Sequence, residues 1–343
     1  MVNILLTSDC NHSSSHRLAG NERSELTDDQ LLSWENLIYL ADFLWASGQR
    51  QVSLSGGEPT RHPQCVDFIL YLLDRGFAVT VCTDGILTPA RLEEFACHLT
   101  QAPSQRLNLV CHLHDPVQTL ASPAETQRLH SFLAVMGPWT QAGFEIQRLD
   151  FTLEFLFDYL TSFGLQRHLR LGLAHPIPGS KSGFIQAKDM RRVVRRLYAY
   201  RHLFESQRVR PRLDCGFPLC KFSDAELGWL HRHGDRATCG SGPAFQISPD
   251  MNVYHCFPLA NYPGKSLFEF DSLEQIDTYF MELRDEIKAG IAGVYAACSG
   301  CQCRDNEVCD GGGLSRIGAR GSEAAPLGLA GSEDGISQDR LPG

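Results

Sequence analysis

No apolar run in this sequence approaches the ~20 residues that a membrane-spanning helix requires. An excess of positive charge is also missing: 31 Lys and Arg face 40 Asp and Glu, for a formal net charge of -9. Nucleic-acid backbones select basic surfaces, so neither nucleic acid nor a membrane is an expected partner. The first residues carry no basic stretch and no small-residue cleavage site, and the expected location is cytoplasmic. Internal repeats are absent. No cysteine falls between Cys111 and Cys215, a gap that separates two groups with different surroundings.

What the sequence does have is cysteine, 13 in 343 residues. Outside a secretory context that count speaks for metal or redox chemistry rather than a disulfide framework. Cys10, Cys65, Cys82, Cys97 and Cys111 are scattered through the first third, whereas Cys215, Cys220, Cys239, Cys256, Cys298, Cys301, Cys303 and Cys309 crowd the last. The composition, 43% apolar and 21% charged, is that of an ordinary globular chain able to bury one large core and a smaller appendage.

Up to residue 205, short apolar runs alternate with amphipathic stretches. Strands are expected at Asn3–Thr7, Gln51–Ser55, Ala78–Cys82, Leu107–Cys111, Phe144–Gln147 and Leu169–Ala174. Helices are expected at Asp28–Trp45, Pro63–Arg75, Pro89–Leu99, Ala124–Met136, Leu153–Phe163 and Lys188–Phe204. This α/β alternation calls for a parallel sheet with right-handed crossovers, as a barrel or a doubly wound sheet. From Pro211 it stops, and only Ser223–His233 and Ser272–Lys288 read as helices. The expected organisation is an α/β unit over 1–205, a cysteine-rich α+β extension over 206–318 and a flexible tail over 319–343.

Parallel α/β folds place their chemistry in the loops after the strand C-terminal ends. Here those loops hold Cys10, then Gly56-Gly57-Glu58-Pro59, Thr83-Asp84-Gly85, His112-Leu113-His114-Asp115, Arg148-Leu149-Asp150 and His175-Pro176. Two glycines directly after a strand let the backbone approach a ligand closely. Glu58 then offers a carboxylate to an ammonium group; the blander alternative is a plain βα turn in which Glu58 caps the adjoining helix. His112 and His114 share one face at a strand end, as a solvated or hydrogen-bonded pair near the pocket mouth. Cys65, Cys82, Cys97 and Cys111 read as core.

With its cysteine loop after strand one and Ser53-Leu54-Ser55-Gly56-Gly57-Glu58-Pro59-Thr60 after strand two, the chain resembles the radical S-adenosylmethionine (SAM) enzymes over residues 2–318. That family carries C-x3-C-x2-C in the first of these loops. The resemblance implies a partial (β/α)6 barrel. It also implies that Gly56, Gly57 and Glu58 hold the amino group of SAM's methionine part. Asp84 stands where the family often has a Thr-Asn-Gly turn, and His175 opens a loop near the adenine. Aligned on Cys10, however, the second and third cysteine positions hold Ser14 and Arg17. A hydroxyl is a poor ligand and guanidinium has no lone pair to give, so Cys10 is the remnant of a four-iron site that needs three thiolates. His12 and His16 are the substitutes at hand, since imidazole ligates iron in Rieske centres; zinc or no metal is equally open to that trio.

Cys298-x2-Cys301-x7-Cys309, with Cys239-x16-Cys256 upstream and Cys215-x4-Cys220 before it, resembles the SPASM-type extension that holds auxiliary iron–sulfur clusters in peptide-modifying members. Ile247–Cys256 fits its hairpin, with Met251 where a glycine is usual, and Ser315 stands where a further cysteine is expected. Zinc on Cys298, Cys301, Cys303 and Cys309 is the alternative. Three functions compete. The chain is a pseudoenzyme that binds SAM or a peptide or supports an active paralogue, a working radical SAM enzyme with non-cysteine or partner-supplied ligands, or a metal-binding interaction module.

Overall fold

The structure, a computed structural model, describes residues 2–7, 31–116, 121–174, 184–214, 216–236, 245–254, 264–290, 292–306, 308–309 and 311–312. In chain order the elements are β1 (Val2–Thr7), α1 (Trp34–Ala46), β2 (Gln51–Gly56), α2 (Cys65–Asp74), β3 (Ala78–Thr83), α3 (Pro89–Leu99), β4 (Leu107–His112), α4 (Pro123–Met136), β5 (Thr140–Ile146), α5 (Glu154–Ser162) and β6 (His168–Leu173). Next come α6 (Met190–Ala199), α7 (Arg201–Ser206), β7 (Arg210–Leu213), α8 (Asp224–His233), β8 (Asp235–Arg236), β9 (Gln246–Ile247), β10 (Asn252–Tyr254), β11 (Lys265–Ser266), α9 (Leu273–Gly290) and α10 (Gln302–Asp305).

Strands β1 to β8 lie side by side in sequence order and every neighbouring pair is parallel. β9 joins the free side of β1, also in parallel, and β10 and β11 continue antiparallel, giving one 11-stranded sheet. This is the partial barrel expected from the sequence. All six expected strands form, β5 beginning earlier, at Thr140. β9 and β10 form the hairpin expected within Ile247–Cys256; β7, β8 and β11 were not legible, and the sheet runs on past residue 205. The expected helix Lys188–Phe204 is two helices, α6 and α7, that meet at Tyr200.

Strand alternation explains which face is core. Val2, Ile4 and Leu6 of β1, Val52 and Leu54 of β2, and Val79 and Val81 of β3 point one way and are fully or almost fully buried. Against them pack Leu37, Leu40 and Leu44 of α1 and Phe68, Ile69 and Leu72 of α2. Caps fix where the helices start: Ser33, Thr88, Ser122 and Ser223 each accept a backbone N–H from the first turn. The opposite face of the sheet is polar, with Asn3, Thr80, Asn108, Gln141 and Arg170 half-buried on it and Ser53 buried. Closed barrels fill that face with branched apolar side chains; here polar side chains occupy it.

Cys65 and Cys111 are core as expected. Cys97 is not: it is exposed, because α3 buries Phe95 and Leu99, and position 97 lies on the helix's opposite side. Cys82 is half-buried on the polar face, its sulfur 3.6 Å from Ser53 Oγ.

The hairpin of β9 and β10 turns through Met251, whose φ is +63. That is the left-handed conformation glycine favours, at the very position where the resemblance implies a glycine. Met251 is also 2% exposed, packed in the core. Met251→Gly relieves about 1–2 kcal/mol of backbone strain and loses about 2–5 kcal/mol of buried side chain. The expected result is a net lower midpoint in thermal unfolding followed by circular dichroism.

Candidate functional site

The C-terminal ends of β1, β2 and β3 meet at one constellation. β1 and β2 run in register until the pairing shifts between Leu5 and Thr7, after which Thr7 faces Gly56. The Gly57 N–H donates to Thr7 O at 3.0 Å, and Thr7 Oγ1 donates to Glu58 O at 3.5 Å. Gly56 has φ +141, and a Cβ there would lie 2.5 Å from Thr7 O and 2.9 Å from Thr7 N. The first glycine is therefore required by the approach of β1 itself. Gly56→Ala combines a disfavoured φ with a backbone clash, and its expected cost is on the order of 3 kcal/mol or more. A urea titration in which this variant keeps the parent midpoint would contradict that packing.

Glu58 is 2% exposed. Its Oε1 accepts from Thr60 N at 3.0 Å, Thr60 Oγ1 at 2.7 Å and Thr83 Oγ1 at 2.8 Å; its Oε2 accepts from Asp84 N at 2.8 Å. The capping alternative is thus realised, since Glu58 closes the short helical turn Pro59–Arg61. It does more, tying the loop after β2 to the loop after β3. Burial, with the Asp84 carboxylate adding to it, pushes Glu58 up to about 8, against the pull of its hydrogen-bond donors. Asp84 in turn accepts from Ile86 N at 2.8 Å, and Thr83 Oγ1 accepts from Gly85 N at 3.0 Å. His62, 1% exposed, holds the far side of the turn. Its Nδ1 accepts from Gln64 N at 3.1 Å, so Nε2 donates to Leu32 O at 3.0 Å, and burial pulls its pKa down.

Along the rim, His112 ends β4, and a Cβ on Gly143 would sit 3.5 Å from its Nδ1, so the ring lies across the polar face. Asp115, 8% exposed, accepts from Thr152 Oγ1 at 2.8 Å. On β6, Arg170 Nε pairs with Asp214 at 2.8 Å. Sequence reasoning missed Thr7 and the Arg170–Asp214 pair, and it gave no role to Thr60 and Thr83, although both lie within the motifs it quoted.

The first-loop residues Cys10, His12, Ser14, His16 and Arg17 lie outside the described residues, as do His175, Cys215, Cys239, Cys256, Ser315 and the tail 319–343. Of the cysteine-rich end, Cys298 is buried, Cys301 and Cys309 half-buried, and Cys220 and Cys303 exposed. Partial desolvation pushes the exposed Cys220 thiol up, and Cys309 and Cys298 stand close enough to add to this while Lys221 opposes it. Cys309 N–H donates to Cys303 O at 2.9 Å, and Gly293 leaves its missing Cβ 2.6 Å from Cys298 Sγ. Among the described residues no three His, Cys, Asp or Glu side chains are grouped to hold a metal ion. No helix among the described residues is long and apolar enough to cross a membrane.

No protein-family model and no curated protein matches this sequence. Solved structures do. SuiB of Streptococcus suis bound to S-adenosylmethionine superposes with a TM-score of 0.54 over 80% of this chain and 64% of its own, at 16% identity. SuiB bound to precursor peptide SuiA gives 0.55 over 80% and 63%, also at 16% identity. The structure of anSMEcpe with bound AdoMet gives 0.52 over 77% of this chain and 74% of that one, at 14% identity. The chain thus spans 64% of the length of SuiB. Shared architecture at such identities is a statement about fold, and the fold of this chain is that of the radical SAM enzymes.

Proposed function

We propose that this chain is a cytoplasmic radical SAM-fold pseudoenzyme, which binds SAM at the C-terminal rim of its barrel without cleaving it reductively. In this reading Gly56, Gly57, Glu58 and Asp84 receive the methionine end of SAM, with His175 toward the adenine. The donor set suits that end. Glu58 Oε2 accepts a single hydrogen bond, and Asp84 brings a second carboxylate beside it, where a bound ammonium would be favoured. The observation that carries the loss of chemistry is the ligand set of the first loop: one thiolate at Cys10, a hydroxyl at Ser14 and a guanidinium at Arg17. These residues do not fit a four-iron cluster, which is held by three thiolates when one iron is left for SAM.

The cysteine-rich end supplies a separate metal site, iron–sulfur rather than zinc, held by thiolates from Cys215, Cys220, Cys239, Cys256, Cys298, Cys301 and Cys309. A peptide is the favoured macromolecular ligand, in keeping with the peptide-bound state of SuiB.

Anaerobic purification and iron–sulfide reconstitution test this reading together with SAM calorimetry. The expected result is saturable SAM binding, iron that disappears on Cys298→Ala and Cys301→Ala, and no 5′-deoxyadenosine under dithionite. Product formation abolished by Cys10→Ala would instead establish a working enzyme with histidine or partner ligands. Absence of SAM binding would leave a metal-binding scaffold.

A further inference from the structure

The end of the barrel opposite the Gly56–Glu58 loop carries a cavity of about 250 Å³. It is lined by Asn108 of β4, Gln141 of β5, Gln166 and His168 at the start of β6, Arg210 and Arg212 of β7 and Asp235 of β8. These are polar-face positions at strand N-terminal ends. A six-residue strand such as β4 is about 20 Å long, so this rim is well separated from the SAM-type loop.

Three features set the cavity apart from a solvent-filled dimple. The first is its charge. Arg210 and Arg212 bring two guanidinium groups against the single carboxylate of Asp235. Neither guanidinium group has a hydrogen-bond or ion-pair partner among the described residues. The second is register. His168 is the sheet partner of Arg210, and Asp235 of Arg212, so these groups stand on adjacent strands about 4.8 Å apart. The third is Asn108 Oδ1. Among the described residues it is the one buried side-chain oxygen or nitrogen without a hydrogen-bond partner. A bare buried acceptor is costly and calls for a donor. The volume greatly exceeds what one bridging water fills.

We infer that this rim cavity is a second binding site, for a small hydroxylated oxyanion. Its carboxylate or phosphate lies between Arg210 and Arg212, and a ligand hydroxyl donates to Asn108 Oδ1. Guanidinium forks match both oxyanions bidentately. Gln141 and Gln166 offer donors and acceptors to further hydroxyls, and Asp235 disfavours ligands of higher negative charge. An uncharged polyol lacks the anchor, and a bare inorganic anion leaves Asn108 unmet.

The site is tested on the full chain by calorimetry with glycerol 3-phosphate, glycerate, inorganic phosphate and glycerol. Glycerol 3-phosphate or glycerate is expected to saturate the protein below about 10 mM, ahead of phosphate, with glycerol silent. Arg212→Gln and Asn108→Leu are each expected to weaken that binding roughly tenfold, as loss of a charge-assisted or buried contact implies. Arg210→Gln combined with Arg212→Gln removes it. Because both arginines are exposed, that pair is expected to keep the parent melting curve, which separates lost binding from lost folding. Failure of both hydroxylated anions to bind, equal binding of glycerol, or unchanged affinity in the double arginine variant overturns the inference. SAM binding is expected to be the same in all these variants, so the rim site and the SAM proposal stand or fall separately.

Discussion

Glu58→Ala is expected to lower stability by on the order of 3 kcal/mol, and with it to abolish SAM binding. Removing the carboxylate leaves four donors without their acceptor: Thr60 N–H, Thr60 Oγ1, Thr83 Oγ1 and Asp84 N–H. In a site 2% exposed, water does not replace it freely. Glu58→Gln separates the structural part from the ligand part. Its amide oxygen keeps the three contacts of Oε1, and its neutral head removes the repulsion from Asp84. That variant is therefore expected to fold with a loss of about 1 kcal/mol, while SAM affinity still falls at least tenfold for want of a counter-charge to the ammonium. SAM bound equally well by a folded Glu58→Gln protein would remove Glu58 from the binding site and leave it as a clamp between two loops.

The same carboxylate gives stability a pH dependence of definite sign. Folding raises Glu58 from the usual 4.5 to about 8. Between these values the folded state holds more protons than the unfolded chain, so stability from this group is full below the lower value and declines as pH rises through the window. Denaturant midpoints of the parent should therefore fall from pH 5 to pH 8, and those of Glu58→Gln should fall less. His62 acts the other way. Burial lowers its pKa, so the unfolded chain takes up the proton first and acid weakens the fold below about pH 6.5. Below about pH 6.5 the two slopes therefore oppose each other, and above it the decline from Glu58 stands alone.

Much of this was legible from residue order alone, because the legible parts rest on periodicity. Strands such as Ala78–Thr83 alternate strictly, and Pro89–Leu99 opens on Thr88-Pro89, a cap and a first-turn proline. β7 was missed although Arg210-Pro211-Arg212-Leu213 also alternates, since charged residues on the polar face of a sheet read as loop. Of the β9–β11 ladder only the β9–β10 hairpin was legible, through the resemblance over Ile247–Cys256, because two- and three-residue elements carry no period of their own. At the site, Gly56-Gly57-Glu58 was found by its glycines, yet two of the four donors to Glu58 come from the end of β3 and the residue after it, 25 and 26 residues away. Such pairing is set by parallel register, which no local pattern encodes. The rim cavity was invisible for the same reason: its walls come from five strands.

Ser14→Cys combined with Arg17→Cys is the change with the largest expected gain. If the loop lost its cluster only through these two ligands, three thiolates at the C-x3-C-x2-C spacing should recover it. After anaerobic reconstitution the variant is expected to hold about four more iron and four more sulfide per chain than the parent, with the absorption of an iron–sulfur chromophore. On reduction in the presence of SAM it is expected to release 5′-deoxyadenosine and methionine, products not expected of the parent under the proposed function. The loop leaves β1 at Thr7, whose carbonyl accepts Gly57 N–H at 3.0 Å. A cluster rebuilt there would thus begin one loop away from the residues proposed to take SAM's methionine end. The single variants discriminate further. Ser14→Cys alone supplies two thiolates and keeps the Arg17 cation at the site, so it should gain little iron, whereas the pair gains it cooperatively. A double variant that folds but takes up no additional iron would mean that the loop itself has diverged. The absence of chemistry would then lie in backbone path rather than in two side chains.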